Sequence, residues 1–103
     1  MLFRSLTVGE LLIDTKHRLI RAGDAPYQNL SPTEVKLLAL LAGLPNKVFS
    51  RHELLEKVWG IDAEEGYDAV DATIKRIRRK IEPTMRRHRY LISVRGLGYR
   101  LAG

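Results

Sequence analysis

The sequence predicts a small α+β domain with an N-terminal antiparallel sheet, three helices and a C-terminal β-hairpin. Three observations support this prediction. Turn residues separate short apolar runs in the first thirty residues, three helix-start patterns follow, and two apolar runs around a glycine turn close the chain. The 103 residues suit a single domain, with the sheet over about 1–30, the helices over about 31–82 and the hairpin over about 90–101.

Short strands are predicted for the N-terminal segment. Turn-forming residues at Gly9, at Asp14 to Lys16 and at Gly23 to Asp24 separate the apolar runs LTV, LLID and RLIRA. Runs of this length, joined by tight turns, are typical of a small antiparallel meander.

The first helix is predicted to begin at a capping box. Ser31 can cap it, Pro32 fits its first position and Glu34 completes the box. The helix is expected to end near residues 43–45, where Gly and Pro occur. Its apolar residues recur at helical spacing, and we expect them to face the core: Val35, Leu37, Leu38, Leu41 and Leu44.

The second helix repeats this pattern. Ser50 and Glu53 form a second capping box, and Gly60 is expected to end the helix. The residues predicted to face the core are Leu54, Leu55 and Val58.

The third helix, expected over about Asp68–Glu82, combines an apolar stripe with a basic face. Asp68 can cap this helix and Pro83 stops it. The stripe consists of residues spaced at i, i+4, i+7 and i+11, namely Val70, Ile74, Ile77 and Ile81. The opposite side carries Ala72, Lys75, Arg76 and Arg79, while Arg78 and Lys80 flank the stripe.

The C-terminal segment YLISVRGLGYRL predicts two strands around a tight turn. Gly96 and Gly98 supply the turn, and Arg95 lies at its shoulder. A pair of helices, a basic helix and a hairpin, in this order, are typical of a winged helix-turn-helix in which the hairpin is the wing.

Positive charge is concentrated in the C-terminal third of the chain. The net charge is +6, yet residues 75–100 carry ten cations and one acid, Glu82. This asymmetry indicates a polyanionic partner. The alternatives are a basic face that serves only solubility and a helix that lies on anionic lipid. Lipid binding is disfavoured because the apolar stripe is narrow, lacks Trp and Phe, and is needed for the core.

The sequence offers no pattern typical of an active site, and we expect no enzymatic activity, no metal and no cofactor. His17, His52 and His88 lack a metal-binding spacing, and cysteine is absent. The Gly-Leu-Gly run fits a hairpin turn better than a phosphate loop. No apolar run suits a membrane span or a signal peptide, so we expect a cytoplasmic location and no membrane partner.

Double-stranded DNA explains the third helix and the hairpin together. The major groove, about 12 Å wide, admits an α-helix. Small residues near the start of this helix, Ala69, Ala72 and Thr73, would allow a close approach. Arginine can read guanine, and the methyl group of Ala72 can meet thymine. Arg95 would lie near a DNA backbone or in a minor groove.

Four motifs strongly resemble the OmpR/PhoB-type DNA-binding output domain of bacterial response regulators. They read LSPTE, SRHELLEKVWG, VDATIKRIRRK and VRGLGYRL, and they lie in this order within about Leu30 to Leu101. The resemblance implies a winged helix of a two-component phosphorelay that binds promoter DNA as a head-to-tail dimer on direct repeats.

The resemblance also implies which residues contact the partners. The expected base-contacting residues are Asp71, Ala72, Arg76 and Arg78 in the major groove and the wing residue Arg95 in the minor groove. Those expected near the DNA backbone are Trp59, Thr73, Lys75, Arg79, Ser93 and Tyr99, although Trp59 and Tyr99 fit a packing role equally well. The segment that contacts RNA polymerase in some members corresponds to Gly60, Ile61, Asp62, Ala63, Glu64, Glu65, Gly66 and Tyr67, which would equally suit a plain solvated loop.

Two positions depart from the family pattern. Asp68 stands where the family often has arginine, and Thr73 stands where it often has histidine. Asp68 removes a phosphate contact that the run Arg86, Arg87, His88 and Arg89 would replace. A protein-interaction module with only non-specific DNA affinity therefore stays the alternative function. The sequence contains no counterpart of the family's receiver domain, and an excised output domain and a stand-alone member are both open.

Overall fold

The computed structural model describes residues 5–82 and 89–103. The elements are β1 (Ser5–Val8), β2 (Leu11–Asp14), β3 (Leu19–Ala22), β4 (Gln28–Asn29), α1 (Pro32–Gly43), α2 (Arg51–Leu54) with a π-helical continuation (Leu55–Trp59), α3 (Tyr67–Ile81), β5 (Leu91–Val94) and β6 (Gly98–Leu101). This order confirms the predicted α+β winged helix. Pro83, Arg86, Arg87 and His88, to which we assigned the helix stop and phosphate contacts, lie outside the described residues.

The N-terminal strands form the predicted antiparallel sheet in the order β1-β2-β3-β4. Leu11 and Ile13 on β2 and Ile20 on β3 are fully buried, so one face of the sheet covers the helices. The two-residue strand β4 was not predicted, and it pairs with β3 at Ile20 and Leu19.

The capping box predicted for α1 is confirmed. The Glu34 backbone N–H donates to Ser31 Oγ at 3.1 Å, and the Ser31 N–H donates to Glu34 Oε1 at 2.8 Å. The helix buries Leu37, Leu38 and Leu41 completely. The prediction was wrong for Leu44, which is 53% exposed because the helix ends at Gly43 and Leu44 adopts a non-helical cap conformation.

The second capping box is also confirmed, with Ser50 and Glu53 exchanging hydrogen bonds of 2.9 and 3.0 Å. After Leu54 the helix widens into a π-helical turn that buries Val58. It stops before Gly60, as predicted, because this residue has a φ of 109°, which favours glycine.

The third helix spans Tyr67–Ile81 and buries the whole predicted stripe, including Ile77 at 0% exposure. The assignment of Asp68 as its cap was wrong. Gly66 occupies the cap position without a side-chain hydrogen bond, and Asp68 lies inside the first turn, where its negative charge still suits the helix dipole. Among the described residues no helix is long and apolar enough to cross a membrane.

The wing consists of β5 and β6, paired antiparallel from Leu91–Leu101 to Val94–Gly98. Tyr99 also forms a backbone bridge to Phe49, in which each N–H donates to the other residue's carbonyl oxygen at N···O distances of 2.8 and 2.9 Å. Buried Glu82 closes the C-terminus of α3, because its carboxylate accepts the backbone N–H groups of Arg89, Tyr90 and Leu91. These hydrogen bonds tie the start of the wing to the end of α3.

Candidate nucleic-acid interface

The exposed face of α3 is the basic face that the sequence predicted. Ala72, Lys75, Arg76 and Arg79 are exposed, and a rotation of about 100° per residue places them within an arc of roughly 100°, opposite the buried stripe. We call these four residues the basic arc. Asp68 is exposed and falls on the same arc, near the start of the helix.

Arg76 lies at the edge of the basic arc beside a buried carboxylate. Its Nη2 donates to Thr73 Oγ1 at 3.2 Å, and its Nε lies 3.8 Å from Glu34 Oε2. Glu34 is only 2% exposed, and Lys80 pairs with it at 2.6 Å while also donating to the Asn29 carbonyl oxygen. Sequence reasoning missed this second role of Glu34, because only the fold brings residues 34 and 80 together.

Thr73, expected near a phosphate, is buried on the flank of α3 that faces α1. This residue has 0% exposure, and its hydroxyl donates to the Ala69 carbonyl oxygen at 2.8 Å. Its hydroxyl therefore bonds within the helix, as threonine commonly does.

Asp71, which we expected to contact a base, is directed toward the wing and α2. Its carboxylate accepts hydrogen bonds from Arg51 Nη2 at 2.7 Å and from the Tyr99 hydroxyl at 2.6 Å. Burial alone would raise the pKa of Asp71, but these two donors hold that pKa below its usual value. Sequence analysis did not single out Arg51, since nothing local marks it as the partner of a residue twenty positions later.

Arg78 also binds the wing and does not face outward as a base-contacting residue would. Its guanidinium donates to the Leu91 carbonyl oxygen at 2.7 and 3.1 Å and to Ser93 Oγ at 2.8 Å. Burial lowers the pKa of Arg78. The Arg78 guanidinium carbon also lies 5.7 Å from the centre of the Tyr99 ring.

Tyr99 is half-buried between these two side chains. Burial and the hydrogen bond to the Asp71 carboxylate raise the pKa of Tyr99 to about 12. Since its hydroxyl donates to Asp71, the packing role is the one that the structure supports for Tyr99. Trp59 likewise is half-buried and packs against the core.

Arg95 and Ser93 are exposed on the wing, although Ser93 Oγ already accepts a hydrogen bond from Arg78. Arg95 lies at the wing tip with Gly96 and Leu97, which is 64% exposed. A groove separates this tip from α2 and the start of α3, lined by residues that include Arg51, His52 and Tyr67.

The segment between α2 and α3 lies on the surface. All of its acids are exposed, and Ile61 is 82% exposed. Within residues 5–82 and 89–103, no three His, Cys, Asp or Glu side chains cluster in a way that could hold a metal ion.

Comparison with known proteins agrees with this architecture. The family model described as "Transcriptional regulatory protein, C terminal" matches residues 26–101. The alkaline phosphatase synthesis transcriptional regulatory protein SphR of Synechococcus elongatus is 47% identical over 72 residues, covering 70% of this chain and 28% of SphR. Protein PetR of Rhodobacter capsulatus is 43% identical over 102 residues, covering 94% of this chain and 43% of PetR.

A solved structure shows the same arrangement of elements. The RstA DNA-binding domain of Klebsiella pneumoniae, in complex with the RstA box, has a TM-score of 0.80 and 26% identity, covering 97% of this chain and 98% of that domain. The chain spans less than half the length of the two curated relatives, 28% of SphR and 43% of PetR. The chain belongs to the family of OmpR/PhoB-type C-terminal domains of transcriptional regulatory proteins.

Proposed function

We propose that this chain binds double-stranded DNA sequence-specifically and so regulates transcription. One observation carries the proposal: α3 buries its complete apolar stripe and presents the basic arc to solvent. A helix of 15 residues is about 22 Å long, which suits a recognition helix lying in a major groove. The relative solved in complex with the RstA box supports the same assignment.

The residues of the basic arc divide into two roles. Arg76 is the candidate for bidentate recognition of guanine, and Ala72 leaves room for a thymine methyl group. Lys75 and Arg79 reach toward the phosphates that border the groove. Arg95, at the wing tip, is the candidate for a neighbouring minor groove, where narrow A·T tracts attract arginine.

Asp71 and Arg78 are not included in this base-contacting set, because both are engaged by the wing. Ser93, which we expected near the DNA backbone, stays in the proposal as an exposed residue of β5. Trp59 and Tyr99 are assigned to packing.

Two further partners belong to the proposal. Head-to-tail pairing on direct repeats would place two copies of the basic arc in successive major grooves. The exposed segment from Gly60 to Tyr67, with the acids Asp62, Glu64 and Glu65, would offer RNA polymerase an accessible surface.

The proposal is tested by selecting bound duplexes from a random pool and then titrating salt. A repeated half-site is expected, and log K should fall with log[salt] by about 0.9 for each neutralised phosphate. Binding that retains no sequence preference after selection would contradict the proposal and favour the protein-interaction alternative.

A further inference from the structure

We infer that Asp71 and Arg78 are positioning residues that hold the wing against α3 and so set where Arg95 meets DNA. This inference rests on the proposed function, since it explains how two separate DNA-contacting parts keep a fixed spacing. Under this inference neither Asp71 nor Arg78 contacts a base directly, and both instead attach the wing to α3.

The two side chains project from the same flank of α3. They are seven residues apart, which corresponds to two helical turns and about 10 Å along the axis. Asp71 accepts the hydrogen bond of Tyr99 on β6, and Arg78 donates to Leu91 and Ser93 on β5. Each strand of the wing is therefore attached to α3 at a different height, and two attachment points restrict rotation as well as distance.

Both attachments are of the stronger kind of hydrogen bond. The Asp71 carboxylate is charged and is paired with Arg51 of α2, and Arg78 donates as a guanidinium. Hydrogen bonds in which one partner is ionised are shorter and stronger than neutral ones. The 2.6 Å distance from Tyr99 to Asp71 fits this class.

Tyr99 is fixed from two sides. Its backbone bridges to Phe49, while its hydroxyl reaches Asp71 and its ring lies beside Arg78. The wing tip begins four residues earlier, at Arg95. Loss of the Tyr99 hydroxyl would leave the backbone bridge in place and loosen only the attachment to α3.

A pre-positioned wing lowers the entropy that must be lost on binding, since Arg95 would not have to be ordered by the DNA itself. The contribution of Arg95 to affinity should then depend on the Asp71–Tyr99 attachment. Residues that contact DNA independently would instead contribute independently.

The test is a double-mutant cycle on the 103-residue chain with a selected duplex. The affinities of wild type, Tyr99→Phe, Arg95→Ala and the double variant are measured by fluorescence anisotropy. Positioning predicts that the fold-loss caused by Arg95→Ala shrinks by about threefold or more in the Tyr99→Phe background, a coupling within the range for residues that act together. Equal fold-losses in both backgrounds would overturn the inference.

Tyr90→Phe is the matched control. It removes a tyrosine hydroxyl that donates to Glu10 at 2.9 Å, away from the flank of α3 that carries Asp71. Its effect should be additive with that of Arg95→Ala. The same shrinkage in this control would show that the coupling comes from general loosening and would also overturn the inference.

A second cycle with Arg78→Gln and Arg95→Ala covers the case in which Tyr99→Phe does not fold. A further readout needs no DNA: amide order parameters for residues 94–97 should fall in Tyr99→Phe but not in Tyr90→Phe. A wing that stays equally rigid contradicts the inference while leaving DNA binding intact. Absence of duplex binding by the wild type contradicts the proposed function itself.

Discussion

Replacement of Gly98 by alanine should destabilise the domain by disrupting the junction between the wing and α2. A Cβ atom at this position would overlap the carbonyl oxygen of Phe49 and lie 2.8 Å from its carbonyl carbon. The overlapping atoms belong to the backbone of Phe49, which cannot move away by a rotamer change as a side chain could. Relief requires the two hydrogen bonds between Phe49 and Tyr99 to lengthen or break.

The magnitude follows from two contributions. Two backbone hydrogen bonds contribute about 1 kcal/mol each. The φ of +145° at Gly98 adds strain of about 1–3 kcal/mol for a residue with a side chain. We therefore expect a loss of about 3–5 kcal/mol, a large part of the roughly 5–15 kcal/mol that stabilises an ordinary domain.

Urea unfolding followed by the fluorescence of Trp59, the single tryptophan, measures this loss. Gly96→Ala is the matched control, because Gly96 has a φ of +77° but nothing within 4 Å of an added Cβ. It should lose only about 1–2 kcal/mol, the cost of a left-handed conformation. If the two variants lose equal stability, the clash with Phe49 is not the cause.

Three further outcomes are expected. Ile77→Ala should lower the free energy of unfolding, measured in urea, by about 2–5 kcal/mol, because it leaves a cavity at a fully buried position. Its control, Ile61→Ala, should change that free energy by less than about 0.5 kcal/mol, because Ile61 is 82% exposed. The pKa of Tyr99 is raised from 10.0 to about 12, so its neutral form stabilises the fold below pH 10 and this stabilisation is lost as pH rises toward 12. Tyrosinate absorbance should therefore show a late titration, near pH 12, that moves to lower pH in Asp71→Asn. Asp68→Arg should tighten binding to random duplex and steepen the salt slope by about 0.9, since it adds a cation to the basic arc.

Each of these outcomes has a contradicting result. Equal stability losses for the two isoleucine variants would place Ile77 outside the core. A late titration that stays unchanged in Asp71→Asn would exclude the charge of the Asp71 carboxylate as a cause of the raised Tyr99 pKa, because the substitution removes this charge and keeps an acceptor oxygen. For Asp68, the control is Asp24→Arg, the same charge change on the turn after β3. A steeper slope in both variants would reflect net charge and not the position of Asp68.

The features that sequence predicts well here are those that depend on near neighbours in the chain. The box at Ser31 and Glu34 needs only four consecutive residues, and the stripe ending at Ile81 needs only helical periodicity. Both are settled by local geometry. Helical periodicity failed at Leu44, because the helix ends one residue earlier, at Gly43, and leaves Leu44 exposed instead of in the core.

The direction of each polar side chain on α3 depends on what packs beside the helix. Sequence separates the buried stripe from the opposite arc, but the flanks face either α1 or the wing, and only the fold decides which. Asp71 and Arg78 lie on the wing flank, and Thr73 and Lys80 lie on the flank toward α1. Helical spacing alone predicts that Asp71 and Arg78 share a flank. It does not predict which element packs against that flank, because their partners Tyr99 and Leu91 are distant in sequence.

The central claim is that the exposed arc of α3 reads bases, and Arg76→Ala tests it most directly. The affinities of wild type and variant for a selected duplex and for a random duplex are compared at one salt concentration. We expect a loss of about 1–3 kcal/mol on the selected duplex and a clearly smaller loss on the random one. Lys75→Ala, which removes a proposed phosphate contact, should lose affinity equally on both. Equal losses for Arg76→Ala on the two duplexes would contradict base recognition by this helix.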